Sequence, residues 1–159
     1  MCPYRLHQEM YYKKDWEEEY KRKLVSAEEA VKVVKSGDYV VTPLPTQALL
    51  LERALCARKD ELRDVTVVAS NPIADPGWFS PGMQQSFTPV ITLFIGALTR
   101  IAHDARISTY LPSSFSTWFK TIDEQRPEKR DIDVFITPVS TPDNNGFCYF
   151  GPHMWHKRS

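Results

Sequence analysis

The sequence predicts an α/β protein with an open, mainly parallel sheet that carries helices on both faces and is preceded by a helical arm. Segments with apolar residues at helical spacing alternate along the chain with short β-branched runs such as Val-Thr-Val-Val-Ala at 65–69. Two parallel strands need a crossover connection, usually a helix, so this alternation favours a parallel sheet. The length of 159 residues fits one domain with a core of its own.

The amino-terminal elements are an arm over residues 1–24 and a short helix after it. The arm is rich in Lys, Glu and Tyr, and Trp16 and Tyr20 lie four apart, so the pattern fits a docking arm or a plain surface helix. Ser26 followed by Glu29 is a capping box for the next helix, which Ser36-Gly37 ends. We assign the rest of the chain, 25–159, to an α/β domain that is incomplete at its carboxy end.

A strand, a helix and a second strand are predicted next. Pro43 and Pro45 end the first strand, 39–42, because proline provides no ladder donor. Thr46 is positioned to cap the helix that follows. We expect four of its side chains to face the core and three to face water, namely Leu49, Leu50, Ala54 and Leu55 inward and Glu52, Arg53 and Lys59 outward. Residues 65–69 form the second strand.

The second half of the chain repeats the alternation. Residues 71–82 contain three prolines and two glycines and follow a strand directly, where open α/β sheets place their ligand crevices. The remaining predictions are an extended segment at 88–95, a helix at 97–105, a strand at 107–111, helical spacing from Phe115 to Ile122, a strand at 132–136 and a turn at 140–146.

Composition argues against several classes of partner. The 20 basic and 20 acidic side chains cancel, so we expect no nucleic-acid binding, and the apolar runs are shorter than the roughly 18 residues that cross a bilayer. The amino terminus lacks the apolar core of an export signal, which predicts a cytoplasmic protein without a membrane partner. Cys2, Cys56 and Cys148 are odd in number and widely spaced, as reduced cytosolic thiols are.

Two pairs of residues near the carboxy terminus do not predict a metal site or a catalytic site. His153 and His156 are only two ligands, whereas a metal site needs three or four, so we predict no metal. Cys148 near His153 has no orienting third group that would make it a nucleophile. Phosphate-loop and dinucleotide motifs are missing from the sequence, so no permanently bound cofactor is expected. The acidic residues are assigned to solvated surfaces, as with Glu17–Glu19, Glu28, Glu29 and Glu124.

The run KLVSAEEAVKVVKSGDYVV at 23–41 resembles the opening of the acetyl-CoA hydrolase and 4-hydroxybutyrate CoA-transferase family. The resemblance continues through 48–57 and 131–138 and ends in Asp143-x-x-Gly146-Phe147 followed by Phe150-Gly151. Two departures stand out. Tyr149 occupies the place where the family usually has serine, and the loop at 42–47 lacks the glycine that lets a backbone approach an acyl group.

The resemblance implies transfer of CoA between an acyl-CoA and a carboxylic acid such as acetate, through a glutamyl-CoA intermediate. The family's glutamate lies in a second domain, and no glutamate in this chain matches its motif. Coenzyme A is then a substrate, and the implied partners are a small acid, a carboxy-terminal domain or subunit, and further copies in an oligomer. We expect this chain to be inactive without that carboxy-terminal half.

The loops at 42–47, 70–82 and 138–151 are predicted to form one wall of the acyl and acceptor pocket. The candidate substrate-binding residues are Pro45, Thr46, Gln47, Asn71, Asp143, Gly146 and Gly151. Three alternatives stay open: a noncatalytic subunit that docks through Trp16, Tyr20, Trp155 and a sheet face, a truncated interaction domain with uncovered apolar surface, and an acyl-CoA hydrolase.

Overall fold

A computed structural model of the chain describes residues 15–44, 46–70, 72–93, 95–114 and 130–150. In chain order its helices and strands are α1 (Trp16–Lys23), α2 (Ala27–Ala30) with a 3₁₀ turn (Val31–Val33), β1 (Tyr39–Val41), α3 (Leu49–Ala57), β2 (Val65–Ala69), β3 (Phe87–Thr92), α4 (Ala97–Asp104), β4 (Thr109–Leu111) and β5 (Val134–Phe135).

The five strands form one parallel sheet in the order β4-β3-β2-β1-β5. The first four strands are laid down side by side, and β5 then pairs with the other edge of β1. Because all strands are parallel, their carboxyl ends lie at one edge of the sheet. This arrangement confirms the predicted open, parallel α/β fold.

The main core lies between one face of the sheet and the helices. Strand residues such as Val40, Val67 and Ile91 are buried there with Leu55 of α3 and Ala102 of α4. Burying a side chain such as Leu55 stabilises the fold by about 1.5–3 kcal/mol. A smaller buried cluster on the opposite face centres on Val41 and Val68.

The helix after Ser26 forms as its cap predicts but is shorter than expected. The Ser26 hydroxyl oxygen accepts a hydrogen bond from the Glu29 backbone N–H at 3.2 Å. Val31 and Val34 are buried, as the helical spacing predicts. The α-helix lasts four residues and tightens into the 3₁₀ turn, where the Arg58 guanidinium donates to the carbonyl oxygens of Val31 and Val34. These bonds satisfy carbonyls at the end of the helical segment.

Two predictions for α3 are wrong. Thr46 does not cap the helix, which begins two residues later than a Thr46 cap requires, with Ala48 at the N-cap and no side-chain cap. Glu52 was expected in solvent but is 0% exposed, whereas Leu50 was expected inside and is 72% exposed. Position along the helix explains the burial of Glu52, because residue 52 lies one turn from Ala48 and from Leu55, on the stripe that faces the core.

Later strands are confirmed in type but are shorter than predicted. The extended segment at 88–95 ends as a strand at Thr92, because Leu93 has a left-handed φ of 68°. The strands expected at 107–111 and 132–136 keep three and two residues. The helical spacing from Phe115 to Ile122 lies outside the described residues. Within the described ranges, no helix is both long and apolar enough to cross a membrane.

Candidate functional site

Three loops leave the carboxyl edge of the sheet and define the candidate site. The first loop (42–47) follows β1, the second loop (70–82) follows β2, and the third loop (138–150) follows β5. The order of strands reverses between β1 and β5. Open α/β sheets bind ligands in the crevice outside such a reversal, at the carboxyl ends of the strands.

Gln47 joins the first loop to the second through four hydrogen bonds. Its Oε1 accepts from the backbone N–H of Ile73 at 2.7 Å and of Ala74 at 2.8 Å. Its Nε2 donates to the Ala74 carbonyl at 3.0 Å and to Glu52 Oε2 at 2.9 Å. A primary amide has two donor hydrogens and two acceptor lone pairs, so the hydrogen-bonding capacity of Gln47 is fully used.

Glu52 lies beneath this amide on α3. Its side chain is fully buried, and no described residue donates to Oε1. Burial raises the pKa of Glu52 from an ordinary value near 4.5 to about 7, although the hydrogen bond from Gln47 opposes the change. At neutral pH and below, a large share of Glu52 is therefore an uncharged carboxylic acid.

Cys56 lies one turn beyond Glu52 and is also buried. Burial raises the pKa of its thiol to about 12, and the nearby charges of Asp75 and Glu52 add to the increase. Gly77 of the second loop covers it so closely that a Cβ there would be 3.3 Å from the Cys56 sulfur. The raised pKa keeps Cys56 protonated, and the thiolate is the reactive form of cysteine. Cys56 is therefore an unreactive thiol that packs in the core. Cys148 is exposed, and its suggested partner His153 lies outside the described residues.

Hydroxyl groups anchor the strand ends at this edge. The Thr42 hydroxyl donates to the Val68 carbonyl at 3.1 Å, and the hydroxyls of Ser70 and Thr92 bond to each other. All three residues are buried. Leu93 has a left-handed φ, and its carbonyl oxygen accepts a hydrogen bond from the Tyr110 hydroxyl at 3.1 Å. A left-handed non-glycine residue at a strand end is a recurrent feature of ligand sites.

Asp143 organises the turn of the third loop. Its Oδ1 accepts from the backbone N–H of Asn145 at 2.8 Å and of Phe147 at 3.0 Å, and its Oδ2 accepts from the Tyr149 hydroxyl at 2.7 Å. The Tyr149 hydroxyl, then the two backbone donors, hold the pKa of Asp143 below its usual range. The same bond raises the pKa of Tyr149. Tyr149, which stands where the resembled family usually has serine, thus has a structural role, because its hydroxyl donates a hydrogen bond to the aspartate of the turn.

Gly146 allows α1 to lie against the third loop. It has a φ of 84°, and a Cβ built on it would be 2.6 Å from Cγ of Trp16. Only glycine combines that backbone conformation with so close an approach. One half of the aromatic stripe predicted for the arm therefore makes a contact inside the chain.

The predicted substrate-binding residues have different environments. Pro45, Asn71 and Gly151 lie outside the described residues. Thr46 and Gln47 are half-buried in the first loop, and Asp143 and Gly146 share one turn of the third. Glu52, Ser70 and Thr92 were missed, and for Glu52 the helical position was the available signal. Among the described residues, no group of three His, Cys, Asp or Glu side chains is arranged to hold a metal ion.

The model of the acetyl-CoA hydrolase/transferase N-terminal domain matches residues 7–159. The chain belongs to this family. The 4-hydroxybutyrate coenzyme A transferase of Clostridium kluyveri is 33% identical over 139 residues, which cover 86% of this chain and 31% of that protein. The butyryl-CoA:acetate CoA-transferase of Anaerostipes caccae is 31% identical over 150 residues, covering 89% of this chain and 31% of that protein. The chain thus spans about a third of the length of these curated relatives.

Solved structures of the same fold include RipA from Yersinia pestis. Its TM-score to this chain is 0.72 at 22% identity, and the match covers 84% of this chain and 33% of RipA. At that identity the likeness concerns the fold. Family membership confirms the resemblance stated from the sequence, including its assignment to the amino-terminal domain.

Proposed function

We propose that this chain forms one wall of the active site of a CoA-transferase that exchanges CoA between an acyl-CoA and a carboxylic acid such as acetate. The observation that carries the proposal is that three loops follow the neighbouring strands β2, β1 and β5 at the edge where the strand order reverses, in a chain of the CoA-transferase family. The relatives named for 4-hydroxybutyrate and butyryl-CoA:acetate transfer support this substrate class. Of the predicted residues, we keep Pro45, Thr46, Asn71 and Gly151 as candidates for substrate contact.

The proposed reaction uses a glutamate that lies outside this chain. Its carboxylate attacks the thioester carbonyl and displaces the CoA thiolate, which gives an acyl-glutamyl anhydride. The thiolate then attacks the glutamyl carbonyl and releases the first acid, which leaves a glutamyl-CoA thioester. The acceptor carboxylate attacks this thioester and displaces the thiolate again, and attack of that thiolate on the acceptor's carbonyl forms the new acyl-CoA and frees the glutamate.

The surface of the third loop supports a partner lobe that closes the crevice. Its exposed apolar side chains are Val139, Phe147, Tyr149 and Phe150. We take these side chains of one loop as a candidate interaction surface, and a covering lobe would also keep water from the anhydride. In this proposal the lobe is a carboxy-terminal CoA-transferase domain or subunit, while α1 braces the third loop through Trp16.

Co-expression with a carboxy-terminal CoA-transferase domain tests the proposal. We expect the assembled pair to move CoA from an acyl-CoA to isotope-labelled acetate and this chain alone to do nothing. An assembled pair that exchanges CoA with none of the short carboxylic acids contradicts the proposal, and so does exchange by the chain alone. Release of free acid from acyl-CoA without an acceptor would instead identify a hydrolase, and a stable inactive pair would identify a noncatalytic subunit.

A further inference from the structure

We propose that Gln47 and Glu52 are positioning residues for the candidate site, and that loss of the Glu52 proton loosens the contact between the first and second loops. The catalytic consequence of this inference rests on the proposed function. The contact itself is defined by hydrogen bonds within this chain.

The first step of the argument is the direction of the Gln47 amide. An amide has a donor end and an acceptor end, and the two backbone N–H groups of Ile73 and Ala74 require the acceptor end. Glu52 Oε2 accepts from the opposite end, Nε2. Glu52 therefore favours the one amide orientation that binds the second loop, and it acts on that loop through Gln47.

The second step is the cost of a charge at Glu52. Its carboxyl group is fully buried and has one donor, the Gln47 amide. Glu52 and Asp75 of the second loop both raise the pKa of Cys56, which lies on the same helix as Glu52, and neither Cys56 nor Asp75 supplies positive charge. The charged residues of the helical segment that packs on α3, Glu28, Glu29 and Lys32, are exposed. Among the described residues, the Gln47 amide favours an ionised Glu52, but its effect is smaller than that of burial.

The third step links ionisation to opening. When the loops separate, Glu52 becomes hydrated and ionises with a pKa near its ordinary value of 4.5, whereas in the closed form its pKa is about 7. Between pH 4.5 and about 7 the open form has released the Glu52 proton while the closed form still holds it, so a rise in pH favours the open form. Because the closed form binds the proton more tightly, its advantage is complete at low pH and declines as pH rises toward about 7.

Amide hydrogen exchange on the full 159-residue chain tests this step without any assay of activity. Between pH 5 and 7.5 the opening equilibrium of the Ile73 and Ala74 amides should rise roughly 50-fold in the wild type, after correction for intrinsic exchange. In Glu52→Gln, which keeps an acceptor for Gln47 but cannot ionise, it should stay flat. Glu18→Gln on exposed α1 is the matched control and should behave as the wild type. The Val67 amide in β2 reports global unfolding.

Two results would overturn the inference. One is the same pH dependence at Ile73 and Ala74 in wild type and Glu52→Gln, and the other is exchange of these amides only together with Val67. In the assembled enzyme, the ratio of kcat/KM in Glu52→Gln to that in wild type should rise as pH increases toward about 7 and should level off above it. A constant ratio would overturn the positioning role. A chain that shows the exchange switch but belongs to a pair without CoA exchange would instead contradict the proposed function alone.

Discussion

Glu52 and Asp143 each organise a loop at the carboxyl edge of the sheet, and they do so in opposite electrostatic states. Glu52 is buried under the first and second loops with a pKa raised to about 7. Asp143 accepts hydrogen bonds from its own turn and from Tyr149 in a solvated setting, and its pKa is lowered. Carboxyl groups can hold loops either as a neutral buried acid or as an exposed anion. The two halves of this edge should therefore respond to pH in opposite directions.

Removing the Gln47 amide should produce the largest effect. Gln47→Leu leaves the Ile73 and Ala74 N–H groups, the Ala74 carbonyl and Glu52 without this partner. We expect the free energy of unfolding to fall by about 2–4 kcal/mol, since unsatisfied buried polar groups cost about 1–3 kcal/mol each and water reaches some of them. Urea denaturation measures this. Gln85→Leu, at an exposed position, is the control, and equal losses in both variants would contradict the role of Gln47 in joining the first and second loops.

The pH dependence of stability should separate the buried carboxyl group from the exposed one. Because the folded-state pKa of Glu52 is raised from 4.5 to about 7, its contribution is intact below pH 4.5 and is lost as pH rises to about 7. The loss amounts to about 3 kcal/mol at most. The difference in unfolding free energy between Glu52→Gln and wild type should grow by this order across that window. A difference that does not vary with pH would argue against a buried neutral acid.

Substitution of Gly146 tests how the third loop is braced. Gly146→Ala should destabilise the chain by about 2 kcal/mol, because a methyl group meets Trp16 and the residue has a left-handed φ. Gly82→Ala is the matched control: Gly82 has a φ of 90° but open space around its Cβ position. It should show the backbone effect alone. If both variants lose the same stability, the contact with Trp16 contributes nothing, and Trp16→Ala should then be neutral as well.

The smallest effect concerns the solvated turn at Asp143. Since its pKa is lowered, the order that Asp143 gives the turn is present above its ordinary value of 3.8 and is lost as pH falls through the folded-state value. Tyr149→Phe removes the largest cause and should move the titration midpoint upward, toward 3.8. The amide shifts of Asn145 and Phe147 report the midpoint. An unchanged midpoint would mean that the hydroxyl of Tyr149 does not bind Asp143 in solution.

Much of this fold was predictable because its signals are local. The cap at Ser26, the strand at 65–69 and the proline after β1 each depend on neighbours in sequence. Glu52 was misassigned because its charge was given more weight than its place on the inward stripe of α3. The buried Glu52 side chain depends on its hydrogen bond from Gln47. Gln47 in turn is held by backbone groups that are 26 and 27 residues away in the sequence. Such a contact has no local pattern in the sequence.

The late pairing of β5 has a consequence for synthesis on the ribosome. β1 pairs with β2 on one side, and on its other side it pairs with β5, which lies about 94 residues later in the chain. At the start of that second pairing the Tyr39 N–H donates to the Asp133 carboxylate. A nascent chain can therefore assemble β1 to β4 while β1 still presents an unpaired edge. Such edges recruit other strands. Pausing of translation before β5 should thus make the emerging polypeptide a client for chaperones.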